Sequence, residues 1–240
     1  MEPNGFWGAE PVTFGPVFST AEKGMGARRG LAFVTCLVTT VAFGQAPAPT
    51  PPASGTPQGD MHRGKELSYT CLGCHGIDGY RNAYPDYSVP KLEGQNPEYL
   101  VAALHGYREG DRSHLTMHSQ ASELSDQDIA DIAVFFAGKP LASTGKAHGT
   151  PPKTVSLCTA CHGQDGVAVA PMYPSLAGQH PDYIVRALEE YQNGGRKNPI
   201  MKGFAAPLKP AEITEIAAYF SAITPALKTE PRPYTRFSAQ

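Results

Sequence analysis

The residues of this 240-residue chain that could do chemistry lie in two short stretches that share one pattern. "CLGCHGIDG" begins at Cys71 and "CTACHGQDG" begins at Cys158, 87 positions later. Each stretch places two thiols three positions apart and an imidazole directly after the second thiol. A cysteine pair at this spacing serves as a redox couple or as half of a zinc site. The histidine, and the return of the whole pattern, require a more specific explanation.

Cys-x-x-Cys-His is the attachment signature of c-type haem. Two thiols on one helical turn can bond to the two vinyl groups at one edge of a porphyrin, and the histidine can bind the iron. A zinc site needs two further ligands, and neither stretch has a second cysteine pair or a His-x-His set close by. Zinc and thiol redox chemistry are the alternatives. We predict two covalently bound haem c groups, each with its iron, held by the thiols and histidines of both motifs: Cys71, Cys74, His75, Cys158, Cys161 and His162.

The two stretches belong to one repeat that covers most of the chain. After the motif the second copy is three residues shorter, so "VPKLEGQNPEYL" from Val89 matches "YPSLAGQHPDYI" from Tyr173 at an offset of 84. The same offset continues to Phe136, which matches Phe220. Two copies predict two tandem domains, because a solenoid would need more of them. At roughly 75 to 80 residues, each copy is small for a hydrophobic core of its own. We therefore expect a haem at the centre of each domain.

Helical signals are present in both copies. In the first, Asn96 can cap a helix that has Pro97 at its first position, and Ser125 with Asp128 forms a capping box for a second helix. Apolar residues follow both signals at helical spacing. No stretch shows sustained strand alternation flanked by hairpin turns, so we predict an all-α fold.

The sixth iron ligand separates an electron carrier, which keeps both axial positions filled, from an enzyme with an open or displaceable position. Met117 and Met201 match in the repeat, 42 and 39 residues beyond their histidines, and we predict that they coordinate the two irons. His114 and His118 flank Met117 and are rival ligands. The second copy has no histidine at either place, so we interpret both as surface residues.

The first 60 residues have the composition of a leader and a tether. Arg28 and Arg29 precede the apolar residues 31–43, and the small residues Gly44 and Ala46 follow. This order predicts a signal peptide, and the apolar run is short for a membrane span. We expect translation to start at Met25 and the protein to be exported. An uncleaved membrane anchor is the alternative.

The predicted organisation has six parts. They are a leader with an upstream extension (1–46), a Pro-rich linker (47–60), a first domain (61–138), an interdomain linker (139–152), a second domain (153–225) and a polar tail (226–240).

The chain resembles the dihaem cytochrome c4 family over about residues 61–225. The resemblance rests on both Cys-x-x-Cys-His-Gly-x-Asp-Gly motifs, the "PKLEGQ" and "PSLAGQ" loops, the two methionine positions and the stretch "LSDQDIADIAVFFAG". It implies two tandem cytochrome c-like helical domains and a periplasmic electron carrier, not an enzyme, that serves a terminal oxidase or other acceptor. The alternatives are the cytochrome subunit of a dehydrogenase complex that oxidises sulfide or an alcohol, and a dihaem enzyme such as a peroxidase.

The same resemblance assigns roles around the haems. Pro90 and Pro174 match the loop proline of small c-type cytochromes, whose backbone carbonyl accepts the second ring N–H of the ligand histidine. Two tyrosines and two arginines recur by symmetry and are candidates to contact the haem propionates, with helix packing and solvent exposure as the alternative: Tyr107, Tyr191, Arg112 and Arg196.

The net charge of the chain and its distribution indicate which kinds of partner the protein could bind. The formal net charge of −2 gives no indication of a nucleic-acid binder. Residues 61–138 contain 11 acidic and 6 basic side chains, a net charge of −5, whereas residues 139–240 contain 7 acidic and 11 basic, a net charge of +4. Such a charge dipole orients encounters between proteins. Our hypothesis is that the two domains face different redox proteins, and chance variation on solvated surfaces is the alternative. Membrane association would require an uncleaved N-terminus.

Overall fold

The computed structural model describes residues 58–231. The predicted signal peptide, the start at Met25, most of the Pro-rich linker and the end of the tail lie outside these residues. Within residues 58–231, no helix has the length and apolar character needed to cross a membrane.

The first half of the described chain contains five helices and one β-hairpin. Asp60 caps the first helix, its carboxylate accepting the backbone N–H groups of His62 and Arg63. The elements are α1 (Met61–Leu67), α2 (Leu72–His75), β1 (Arg81–Ala83), β2 (Asp86–Ser88), α3 (Pro97–Arg108), α4 (Leu115–Ala121) and α5 (Asp126–Ala137).

The second half, within the described chain, repeats this order without the hairpin. A 3₁₀ turn replaces α1, and four α-helices follow it. The elements are the 3₁₀ turn (Lys153–Val155), α6 (Thr159–His162), α7 (Pro181–Asn193), α8 (Pro199–Ala205) and α9 (Pro210–Ser221).

Each half has its own apolar cluster, so the prediction of an all-α fold with two tandem domains is confirmed. The cluster of the first half consists of Leu72, Leu100, Ile132, Ala133, Phe136 and Ala137. The cluster of the second half consists of Val155, Ala177, Ile184, Leu188, Tyr191, Ala205, Ile213, Ile216, Ala217, Tyr219, Phe220 and Ile223.

The two predicted helix caps have different outcomes. Ser125 and Asp128 form the expected capping box at the start of α5. Asn96 does occupy the N-cap position of α3, but its side chain makes no capping bond. Its amide instead donates to the carbonyl of Tyr173, at 2.8 Å. The prediction that Asn96 caps α3 was therefore wrong, because a contact with the other half of the molecule takes up its side chain.

The hairpin was not predicted, and it lies where the first copy is three residues longer than the second. β1 and β2 pair in antiparallel register, with Asn82 opposite Tyr87. Strands of three residues are too short to show a period-two pattern. The hairpin contacts α7 of the other half, since the backbone N–H and the hydroxyl of Ser88 each donate to Asp182 at 2.9 Å. The extra residues thus serve the interface between the halves.

Two glutamines at matching positions join the halves. The buried Gln95 donates to the carbonyl of Ser175 at 3.0 Å and accepts the N–H of the same residue at 2.8 Å. Gln179 makes the matching pair of bonds to the backbone of Lys91, both at 3.0 Å. Each half therefore uses the same part of its surface to bind the other half, as the two subunits of a twofold-symmetric interface do.

A second backbone contact follows the same symmetry. The N–H of Ser113 donates to the carbonyl of Gly195, and the N–H of Lys197 donates to the carbonyl of Asp111, both at 2.7 Å. The segment after α9 also reaches the first half. Leu227 in this segment is buried, and Lys228 pairs with Glu93 through two backbone hydrogen bonds.

We expect Gln95→Ala to destabilise the holoprotein measurably. The substitution leaves the N–H and carbonyl of a buried residue without partners, which costs about 1–3 kcal/mol for each such group. Chemical denaturation followed by the loss of helical signal measures the change. Gln179→Ala should have a similar effect, and Gln120→Ala, on an exposed helix face, should change the free energy of unfolding by less than about 0.5 kcal/mol. Equal stability of all three variants would contradict the role of the glutamines.

Candidate haem-binding sites

Each Cys-x-x-Cys-His motif forms one helical turn. The N–H of His75 donates to the carbonyl of Cys71 at 2.9 Å, and the N–H of His162 donates to the carbonyl of Cys158 at 3.0 Å. This brings both thiols and the imidazole of a motif onto a single turn. The four cysteines of the described chain are half-buried, and none of them forms a disulfide. Burial raises the pKa of the Cys71 and Cys158 thiols, so both are protonated before a haem is attached.

A proline carbonyl orients each histidine. The Nδ1 atom of His75 lies 3.1 Å from the carbonyl oxygen of Pro90, and that of His162 lies 2.8 Å from the carbonyl oxygen of Pro174. A carbonyl only accepts, so each Nδ1 carries the proton and Nε2 keeps a lone pair for a metal. Burial lowers the pKa of both imidazoles. Both therefore stay in the neutral form, which is the one that binds iron.

In the second half, the motif and the methionine face one cavity of ≈ 450 Å³. Its lining includes Cys158, Cys161, His162, Pro174 and Met201, together with Tyr99 and Arg112 from the first half. Sites for cofactors and other small molecules in proteins measure about 300–1,000 Å³. The sequence-predicted attachment residues, proximal ligand and distal ligand of this half therefore share a space of cofactor size.

The two methionines lie at matching positions on short helices. Met117 is the third residue of α4 and Met201 is the third residue of α8, and both are half-buried. The backbone N–H of Met117 donates to Nδ1 of His114 at 3.2 Å. The corresponding N–H of Met201 donates to the side-chain oxygen of Asn198 at 3.0 Å. The sequence analysis missed these two caps, although a polar residue three positions before both methionines was a usable signal.

The interpretation of the two flanking histidines as surface residues holds for only one of them. His118 is exposed, and its Nδ1 lies 2.8 Å from the carbonyl of Tyr107. His114 is half-buried. Its partial burial results from the hairpin, which the sequence analysis did not foresee.

An arginine–tyrosine cluster lies between the two halves. Arg196 is 4% exposed and its Nε donates to Glu190 at 2.7 Å. Arg112 is half-buried, donates to the hydroxyl of Tyr99 at 3.1 Å and lies over the ring of Tyr107, 5.5 Å from its centroid. Within residues 58–231, no carboxylate forms an ion pair with Arg112. A desolvated cation needs compensation, so this cluster fits an anionic group such as a haem propionate.

The fold and these two sites define a tandem c-type cytochrome. A family model described as cytochrome c matches residues 61–138 and 153–224. The chain is 35% identical over 182 residues to cytochrome c4 of Pseudomonas aeruginosa, which covers 69% of this chain and 89% of that protein. The crystal structure of reduced recombinant cytochrome c4 from Pseudomonas stutzeri matches with a TM-score of 0.55 at 32% identity, over 69% of this chain and 99% of that one. The chain belongs to the cytochrome c4 family, as its motifs led us to expect.

Another relative carries a different name. The thiosulfate dehydrogenase electron acceptor of Stutzerimonas stutzeri is 29% identical over 169 residues, which cover 63% of this chain and 77% of that protein.

Membership of the cytochrome c4 family means that the chain carries two covalently bound haem c groups and transfers electrons.

Proposed function

We propose that the protein is a periplasmic dihaem electron carrier in which each iron has one histidine and one methionine ligand. Cys71 and Cys74 bind the first haem, and its iron has His75 and Met117 as ligands. In the second half the corresponding residues are Cys158, Cys161, His162 and Met201. The observation that supports this proposal is the symmetry of the sites. In both copies the histidine ring contacts a proline carbonyl, and the backbone N–H of the methionine donates to a polar side chain that caps its helix.

Haem supplies one-electron chemistry when it is bound, and the chain controls its surroundings. The carbonyls of Pro90 and Pro174 fix both histidine rings. The two apolar clusters exclude water. Arg112 and Arg196 provide positive charge for the propionates at the interface between the halves. In this proposal a methionine fills the sixth position of each iron, which supports a carrier over an enzyme.

The periplasmic location rests on the sequence of the leader and on the family. Redox proteins are the proposed partners, and the net charges of −5 and +4 support different partners for the two halves. In this proposal the acidic first half meets a basic surface and the basic second half an acidic one. Membrane contact requires that the N-terminus stays uncleaved.

The alternative is that the protein is the cytochrome subunit of a dehydrogenase complex. The similarity to a thiosulfate dehydrogenase electron acceptor favours the form of this alternative in which the chain accepts electrons from a dehydrogenase. The same haem sites suit both versions, because an acceptor subunit is also a carrier. Purification from the native host under low salt separates them. A stoichiometric catalytic subunit would favour the acceptor, and an isolated cytochrome would favour the free carrier.

Carbon monoxide tests the carrier directly. We expect the absorption spectrum of the reduced protein to stay unchanged when the gas is added, because the methionines occupy both distal positions. Met201→Ala serves as the positive control and should make about half of the haem reactive. Uptake by one haem of the unsubstituted protein would contradict the proposal and favour a dihaem enzyme.

A further inference from the structure

This inference rests on the proposed methionine ligation and concerns what holds each methionine in place. α4 and α8 both have seven residues, and their capping residues have similar extended backbones, with φ and ψ of −152° and 107° at His114 and −141° and 108° at Asn198. In both helices, the amide that the cap binds belongs to the methionine itself. The cap therefore fixes the backbone from which the thioether extends.

The two caps differ in their surroundings. The ring of His114 packs edge-on against Tyr87 and Tyr107, with centroids 6.3 and 6.4 Å away. Tyr87 belongs to the hairpin that only the first half has, and its ring lies 6.5 Å from that of Tyr183 in the second half. Asn198 is exposed. The ring of His114 is thus packed at the interface between the halves, whereas Asn198 is an exposed residue at the start of α8.

We propose that His114 and Asn198 are positioning residues that hold the distal methionine of the first and the second haem independently. His114 acts through its Nδ1 lone pair, which is occupied by the N–H of Met117. It therefore supports the ligand and does not replace it. The hairpin, by packing Tyr87 against this ring, makes the methionine of the first haem depend on the contact between the halves.

The size of the effect follows from the general strength of helix caps. Removing an N-cap side chain shifts the helix equilibrium by a factor of about five. If the cap holds the methionine, its loss makes the thioether about fivefold easier to displace by a competing ligand. A purely structural cap would lower the stability of the helix without singling out one haem.

Titration of the ferric holoprotein with imidazole tests the proposal, because imidazole must displace the methionine. The near-infrared methionine-to-iron absorption follows the displacement at both haems. In His114→Ala, we expect half of this absorption to be lost at an imidazole concentration about fivefold lower than in the unsubstituted protein. In Asn198→Ala, the other half of the absorption should be lost at the lower imidazole concentration. In the double variant, all of the absorption should be lost at the lower concentration.

The remaining variants separate the explanations. His114→Asn copies the cap of the second half and should restore the original titration, which an iron ligand at His114 would not allow. Leu115→Ala, at an exposed position of α4 that is 87% accessible, should leave the titration unchanged. Because Asn198 is exposed, its removal tests the idea even if His114→Ala does not fold.

Two outcomes overturn the inference. The first is a titration that neither alanine variant changes, and the second is a shift of the same half of the signal in both. If the unsubstituted protein lacks the methionine-to-iron absorption, the proposed ligation itself fails. That result is distinct from a failure of the caps.

Discussion

Replacing Cys158 and Cys161 by serine should halve the covalently bound haem and unfold the second half of the protein. The apolar cluster of this half lies around a cavity of ≈ 450 Å³. Residues of the cluster line this cavity, so without a porphyrin in it their apolar side chains face water, at a cost of about 25 cal/mol for each Å² exposed. A folded domain is stable by only about 5–15 kcal/mol, so it cannot tolerate the exposure of a large part of its core. Without the thioether bonds to hold the porphyrin, the second half should not keep its fold.

The covalently attached haem is measured after acid extraction of any free haem, and hydrogen exchange reports on each half separately. We expect one haem per chain and rapid exchange from the 3₁₀ turn to α9. Cys71→Ser with Cys74→Ser is the matched variant and should have the same effect on the first half. Two covalently attached haems in either double variant would show that other residues attach them. Full protection of the altered half would show that the haem is not its core.

The features that could be predicted from the sequence depend on neighbouring residues. The thiols and imidazole of each motif lie on one turn because their spacing is helical. The capping box of Ser125 and Asp128 needs no contact beyond its own helix. Because the two copies align, a role predicted for a residue in one copy could also be predicted for the matching residue in the other. This is why matched residues such as Met117 and Met201 could be proposed without knowledge of the fold.

The features that could not be predicted depend on contacts between residues that are distant in the sequence. Gln95 matched Gln179 in the repeat, but nothing local showed that each binds the backbone of the other half. Asn96 had the right type and place for a helix cap, yet Tyr173 takes its amide. His114 is half-buried and not a surface residue, because the hairpin packs Tyr87 against its ring.

Replacing one distal methionine by histidine should lower the potential of one haem and leave the other nearly unchanged. A thioether favours the ferrous iron, and a methionine–histidine pair raises the potential. Exchange for a second imidazole stabilises the ferric form. Axial ligands set haem potentials over a range of ≈ 0.8 V, so the shift in Met201→His should be on the order of tenths of a volt. Met117→His should shift the other haem by a similar amount.

Spectroelectrochemical titration resolves the two haems, and Met172 provides the control. Met172 lines the same cavity as Met201 and follows His162 by ten residues, but its side chain is 67% exposed. If Met201 is the ligand, Met172→His should leave both potentials in place. A large shift in Met172→His, with none in Met201→His, would transfer the distal role to Met172. The distal ligand would then break the symmetry of the repeat, and the argument from matched methionines to a carrier with two similar irons would fail with it.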